Sequence, residues 1–86
     1  PGYAWAVAER GKTFRKMGQY DKALADFSQA IALDPEYNWA RSARGETYRL
    51  LGEKEKALAD FDKVLELNPH DAWTQRRREL VLSNGN

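Results

Sequence analysis

The chain has 86 residues, 42% hydrophobic and 31% charged, with 14 cationic and 13 acidic side chains for a net charge of +1. A chain of this length forms one small domain and buries only about 60–65% of the surface its unfolded form exposes. It has no cysteine and one histidine, His70, which excludes disulfides, Cys-ligated zinc or iron–sulfur centres and a His-based metal site. The near-neutral balance excludes a strong global field of either sign. No apolar run approaches the ~20 residues needed to span a bilayer, and the opening "PGYAWAVAER" lacks the basic start and long apolar middle of a signal peptide. A cytoplasmic location is the expectation.

In chain order, the first predicted helix runs from about Tyr3 to Met17 and stops at Gly18, since glycine takes the left-handed conformation at little cost. A second helix follows from about Tyr20 to Leu33. Its Ala23, Phe27, Ala30 and Ile31 form one apolar face at i, i+4, i+7 and i+8. The segment "LDPEY" ends it, because proline disfavours helical geometry in the residue before it. A third helix runs from about Asn38 to Leu51 and stops at Gly52. A fourth runs from about Lys54 to Leu67 with the apolar face Ala57, Phe61, Val64 and Leu65, and stops at "LNPHD". A fifth covers about Ala72 to Leu82 and gives way to a polar tail, "SNGN", expected to fray. The connections are too short for anything but tight antiparallel packing.

These helices repeat with a period of 34 residues, within the range that marks repeat architectures. Aligning residues 5–35 on 39–69 gives 15 identical positions in 31, among them Trp5/Trp39, Arg10/Arg44, Gly11/Gly45, Gly18/Gly52, Asp26/Asp60, Phe27/Phe61 and Pro35/Pro69. Unit one spans about 4–37, unit two about 38–71, and a capping helix about 72–83. Glu79 stands in that last helix where Gly11 and Gly45 stand in the units, and Pro1 precedes Pro35 by the same step as Pro35 precedes Pro69. The expectation is the C-terminal end of a longer array, closed by its own capping helix.

With Gly11, Phe14, Gly18, Tyr20, Ala23, Phe27, Ala30 and Pro35 in unit one, the chain resembles the tetratricopeptide repeat family. Unit two repeats Gly45, Tyr48, Gly52, Ala57, Phe61 and Pro69, with Lys54 and Val64 departing from the pattern. The flavour is that of highly repetitive bacterial members. The resemblance implies an all-α fold of antiparallel helix pairs stacked into a right-handed superhelix, with the first helix of each pair lining a concave surface. It implies a protein-interaction module holding an extended or helical segment of a partner, not an enzyme, and no cofactor. Some members clamp acidic C-terminal peptides with Lys, Asn and Arg. Here Ala8, Lys12, Ala43 and Trp73 occupy that region, so a clamp of that type is not expected.

A helical wheel puts Trp5, Glu9, Lys12 and Lys16, flanked by Ala8 and Arg15, on the presumed groove side. Trp39, Ala43, Glu46 and Leu50 follow, flanked by Ser42 and Arg49, then Trp73, Arg77 and Leu80, flanked by Arg76. The expected packing side holds Val7, Gly11, Phe14, Gly45, Tyr48 and Leu82. Each Trp has two readings: a rung of an aromatic binding ladder, or a wedge between neighbouring first helices.

Charge is segregated in the same way. First helices and the last helix carry Arg10, Lys12, Arg15, Lys16, Arg41, Arg44, Arg49, Arg76, Arg77 and Arg78 against Glu9, Glu46 and Glu79. Second helices carry mostly carboxylates. Arg10 and Arg44 recur among small and apolar residues, and Asp26 and Asp60 recur inside "ALADF", so Arg10–Asp26 and Arg44 with Asp60 or Asp26 are expected as structural ion pairs. Arg78 is expected to turn inward, and Arg76 and Arg77 toward the groove.

Catalytic constellations are missing. "GKT" at 11–13 resembles a fragment of a phosphate-binding loop, but the rest of that motif is absent and the stretch falls inside a helix. The candidate partner surface is Trp5, Lys12, Arg15, Lys16, Trp39, Arg49, Leu50, Trp73, Arg76 and Arg77, suited to an acidic, partly apolar protein segment. A structural spacer, or self-association of an excised piece into a homo-oligomer, is the alternative. Single-stranded nucleic acid is the less favoured third reading, and a membrane partner is not expected.

Overall fold

The computed structural model describes residues 2–83; Pro1 and the end of the polar tail lie outside them. The described residues form five α-helices and no strand: α1 (Gly2–Lys16), α2 (Tyr20–Leu33), α3 (Asn38–Leu50), α4 (Lys54–Leu67) and α5 (Ala72–Ser83). α1 packs on α2 and α3 on α4. α2 then packs on α3 and α4 on α5, so each second helix is shared between two first helices. First helices touch one another only lightly. The result is an all-α helical repeat solenoid.

Two kinds of turn set this path. Gly18 and Gly52 adopt φ of +78° and +79°. There the Gly18 N–H donates to the Arg15 carbonyl at 2.9 Å and the Gln19 N–H to the Phe14 carbonyl at 2.9 Å. Gly52 and Glu53 repeat these bonds to Arg49 and Tyr48 at 3.0 and 2.9 Å, so helix-end carbonyls are satisfied without water. The proline turns are closed by Tyr37 N–H to Asp34 O at 3.0 Å and Asp71 N–H to Asn68 O at 3.2 Å. Each is also tied to the helix that follows. Arg41 Nη1 donates to the Pro35 carbonyl at 2.9 Å and Gln75 Nε2 to the Pro69 carbonyl at 2.6 Å.

The core is built on two phenyl rings. Phe27 and Phe61 are fully buried, each contributing about 2–3 kcal/mol of hydrophobic stabilisation. Each ring lies against a glycine of the paired helix. A Cβ placed on Gly11 would sit 3.0 Å from Phe27 Cε1, and one on Gly45 would sit 2.7 Å from Phe61 Cε1. Val7, Ala8, Ala23, Ala30, Ile31, Ala40 and Ala43 complete the first cluster, while Ala57 and Val81 join Phe61.

The last helix corrects one expectation. Leu82 is exposed, and Val81 is the buried residue of α5. Leu82 stands at the phase of Phe14 and Tyr48, whose rings are covered by Lys22 and Lys56 from the second helix of the pair. No described helix occupies that place beside α5, so the buried side of α5 is the one facing α4. A complementary exposure exists on α1. Ala40 and Thr47 of α3 are fully buried, but their counterparts Ala6 and Thr13 are exposed beside Tyr3 and Met17.

Substitution of Gly45 by Ala is expected to destabilise the fold by about 1–3 kcal/mol, because the added methyl must displace a ring that is itself packed on all sides. Gly11→Ala, with its looser contact, is expected to cost less, since the gain in helix propensity of up to about 1 kcal/mol offsets more of the strain. Urea denaturation of both variants gives the order, and equal or reversed costs would contradict the packing account.

Candidate functional site

The three first helices lie side by side, and small residues let them do so. Ser42 and Thr74 are buried and share a 2.8 Å hydrogen bond between α3 and α5. The same two positions one period earlier are Ala8 and Ala40, both fully buried. Over this seam lies a groove of about 470 Å³, lined by Lys12 and Arg15 of α1, Trp39, Ser42 and Ala43 of α3, and Asp71 and Trp73 at the start of α5.

Trp39 forms one wall. Its indole meets Phe27 edge-on, with centroids 6.2 Å apart, and stacks on Tyr37 at 6.1 Å. It is still 41% exposed, so it is held from below and open above. Lys12 Nζ lies 5.9 Å from its ring and 3.5 Å from Glu9. Burial pushes the Tyr37 hydroxyl above its ordinary pKa, with Glu9 and Asp34 adding to the shift. Trp73 is 44% exposed, and the Arg77 guanidinium carbon lies 4.8 Å from its ring. Each groove tryptophan therefore carries a cation on its indole, the arrangement favoured by the ring quadrupole.

The groove brings together Lys12, Arg15, Trp39 and Trp73 from the expected surface, while Trp5, Lys16, Arg49, Leu50, Arg76 and Arg77 are not among its lining residues. Trp5 is 58% exposed, and Lys16, Leu50 and Arg76 are exposed too. Arg15, Lys16 and Arg76 make no ion pair among the described residues. Arg49 is occupied, donating from Nε and Nη2 to the two oxygens of Glu46 at 2.8 Å each. This bond raises the pKa of the guanidinium.

Asp71 was not among the residues expected in the groove. Its Oδ1 accepts the Thr74 N–H at 3.1 Å, so it caps α5 and brings a carboxylate to the groove rim. An acidic residue immediately before a predicted helix start is the signal for such a cap.

The repeated arginines hold the layers together. Arg10 donates from Nε and Nη2 to Asp26 at 2.8 and 2.9 Å. Arg44 does the same to Asp60 at 2.9 and 2.8 Å, and its Nη1 also reaches Ser28 Oγ at 3.1 Å. The hydrogen bond to Asp60 raises the Arg44 pKa against the opposing effect of burial. Arg78 departs from the expected inward orientation. Its Nε donates to Asp62 Oδ1 at 2.6 Å near the surface. Asp62 occupies the Ser28 position one period later, so Arg78 makes the backward half of the Arg44 arrangement.

Removing the carboxylate of Asp60 strands the partly buried Arg44, whose side chain is 23% exposed, whereas Arg10 is 64% exposed and water can replace Asp26. Asp60→Ala is expected to cost about 2–3 kcal/mol and Asp26→Ala less, as read from chemical denaturation midpoints at constant slope.

Comparison with known proteins adds a family and a set of similar structures. A model described as TPR repeat matches residues 11–52, and one described as tetratricopeptide repeat matches residues 39–71. No curated protein matches the sequence significantly. Among solved structures, the first TPR of Spaghetti (RPAP3), bound to the HSP90 peptide SRMEEVD, is 25% identical with a TM-score of 0.90, covering 94% of this chain and 64% of that one. The second TPR domain of the human RPAP3 protein, in complex with the HSP70 peptide SGPTIEEVD, is 32% identical with a TM-score of 0.86, covering 91% and 65%. TTC0263, a thermophilic TPR protein of Thermus thermophilus, is 36% identical with a TM-score of 0.84, covering 93% of this chain and 41% of that one. The chain thus spans slightly under two thirds of the first two of these structures.

Proposed function

We propose that this chain, which belongs to the tetratricopeptide repeat family, is a peptide-binding module. Its groove takes an acidic, partly apolar segment of a partner protein. The observation that carries this reading is the company of Arg15, a cation with no carboxylate partner among the described residues, beside the two half-exposed indoles of Trp39 and Trp73. Two similar domains bind peptides that end in EEVD, the class of ligand this composition suits. Apolar side chains of such a segment would lie on the indoles, and a carboxylate would reach Arg15, for which a planar guanidinium offers two parallel donors. Asp71 and Glu9 temper the cationic charge, so the groove would favour an acidic group at the Arg15 end and not along its whole length. The chain would serve as a binding scaffold without catalysis.

Calorimetric titration with SRMEEVD tests this. Arg15→Glu is expected to weaken binding by at least tenfold, about 1.4 kcal/mol. Trp39→Ala is expected to weaken it by a similar factor with far-UV helicity retained. Loss of the folded state in Trp39→Ala would assign that indole to packing against Phe27. Unchanged affinity in both variants would remove the groove from the binding surface.

A second reading is self-association, favoured by exposed Tyr3, Ala6 and Thr13 on α1 with Met17 just beyond its end, the counterparts of Ala6 and Thr13 on α3, Ala40 and Thr47, being buried. Sedimentation velocity is expected to show a concentration-dependent dimer that Met17→Lys abolishes, and a monomer at all concentrations would dismiss it.

A further inference from the structure

We propose that Glu46 is a specificity-determining residue of this surface: its carboxylate occupies Arg49 and Arg77 and so assigns recognition of a partner's carboxylate to Arg15. The inference rests on the groove being a site for acidic segments.

Glu46 of α3 is only 7% exposed. Both its oxygens are engaged by Arg49 at 2.8 Å, and Arg77 Nη1 lies 3.8 Å from Oε2. Arg77 Nε is buried without a hydrogen-bond partner among the described residues. The two-point contact between Arg49 and Glu46 is the geometry in which an arginine receives a ligand carboxylate. A carboxylate of this chain thus sits where one from a partner would.

The internal repeat supplies the comparison. One period earlier, Lys12 stands at the Glu46 position and Arg15 at the Arg49 position. Lys12 turns to Glu9, and Arg15 has no carboxylate partner among the described residues. Arg15 lines the groove; Arg49 does not. Two arginines at the same phase thus follow residues of opposite sign three positions before them, and only the one after a lysine lacks a carboxylate partner among the described residues.

Glu46 is tethered on the same helix, so its effective concentration at Arg49 exceeds that of any free ligand at working dilution. Displacing it would also cost a buried carboxylate both of its short bonds and leave only the longer contact to Arg77, which is unfavourable. An acidic segment is therefore driven to Arg15.

The test uses the full chain with isotope-labelled arginine Nε–H groups, titrated with tetraglutamate. In the wild type the Arg15 resonance is expected to shift and the Arg49 resonance to stay. In Glu46→Gln both are expected to shift, with affinity raised about tenfold, the equivalent of about 1.4 kcal/mol. A wild-type Arg49 shift that tracks Arg15, or an unchanged affinity in Glu46→Gln, would overturn the inference and leave the groove reading intact. Binding by Glu46→Gln alone would support the masking role and remove the acidic-peptide reading from the wild type. Binding by neither protein would overturn both. The wild-type titration decides on its own if Glu46→Gln does not fold.

Discussion

The structure depends on a ring against a backbone. Phe27 and Phe61 occupy the space that side chains at positions 11 and 45 would fill, and this lets α1 and α3 close directly onto the ring of the paired helix. At that separation Arg10 reaches Asp26 and Arg44 reaches Asp60 with short two-point bonds. The buried aspartates would be strongly destabilising without those guanidiniums. Packing therefore comes first, and the ion pairs follow from it. Glu79 takes the corresponding position in α5, which has no such ring beside it, and it is exposed.

The same geometry determines how much charge a partner can meet. The first helices read as a basic face, but half of that charge is committed internally. Arg10 and Arg44 are taken up at the pair interface, Arg49 by Glu46, Lys12 by Glu9 and Arg78 by Asp62. Among the described residues, Arg15 is the groove-lining cation without an ion pair. A net charge near zero and a locally basic groove are compatible for this reason: the segregation seen in the sequence is offset in part by ion pairs across helix contacts and in part by pairs within a helix. Long-range attraction of anions is correspondingly weak.

Helices, turns and the pairing of layers were legible in the sequence because each is a local or periodic signal. The 34-residue step repeated the glycine turns, the proline turns and the apolar faces, and the structure reproduces them to within a residue or so at the helix ends. The groove was less legible. Its rim residue Asp71 belongs to a connection, and its seam bond joins Ser42 to Thr74, which do not share a repeat phase. The occupation of Arg49 was hidden for a different reason. Residues three apart on a helix are neighbours, but the wheel places Glu46 in the groove without saying which of the nearby cations it takes. Leu82 was misplaced because its phase predicts a packed residue only where a second helix stands beside it.

The arginine register shows how stability is distributed along the array. Arg44 bonds forward to Asp60 and backward to Ser28, each sixteen residues away, and so spans two second helices. Arg10 makes only the forward bond among the described residues and Arg78 only the backward one. α3 is also the helix with second helices on both sides, and it holds buried Ala40, Ser42, Ala43, Gly45, Glu46 and Thr47, whereas α5 buries only Thr74 and Val81. In an array whose units couple only to their neighbours, helices packed on both sides are held more firmly than the first and last described ones. Trp39, Ser42 and Ala43 thus stand on the most firmly held of the three groove helices, with Lys12 and Arg15 on one less supported flank and Trp73 on the other. A groove arranged in this way has a firmly held floor between two less supported sides.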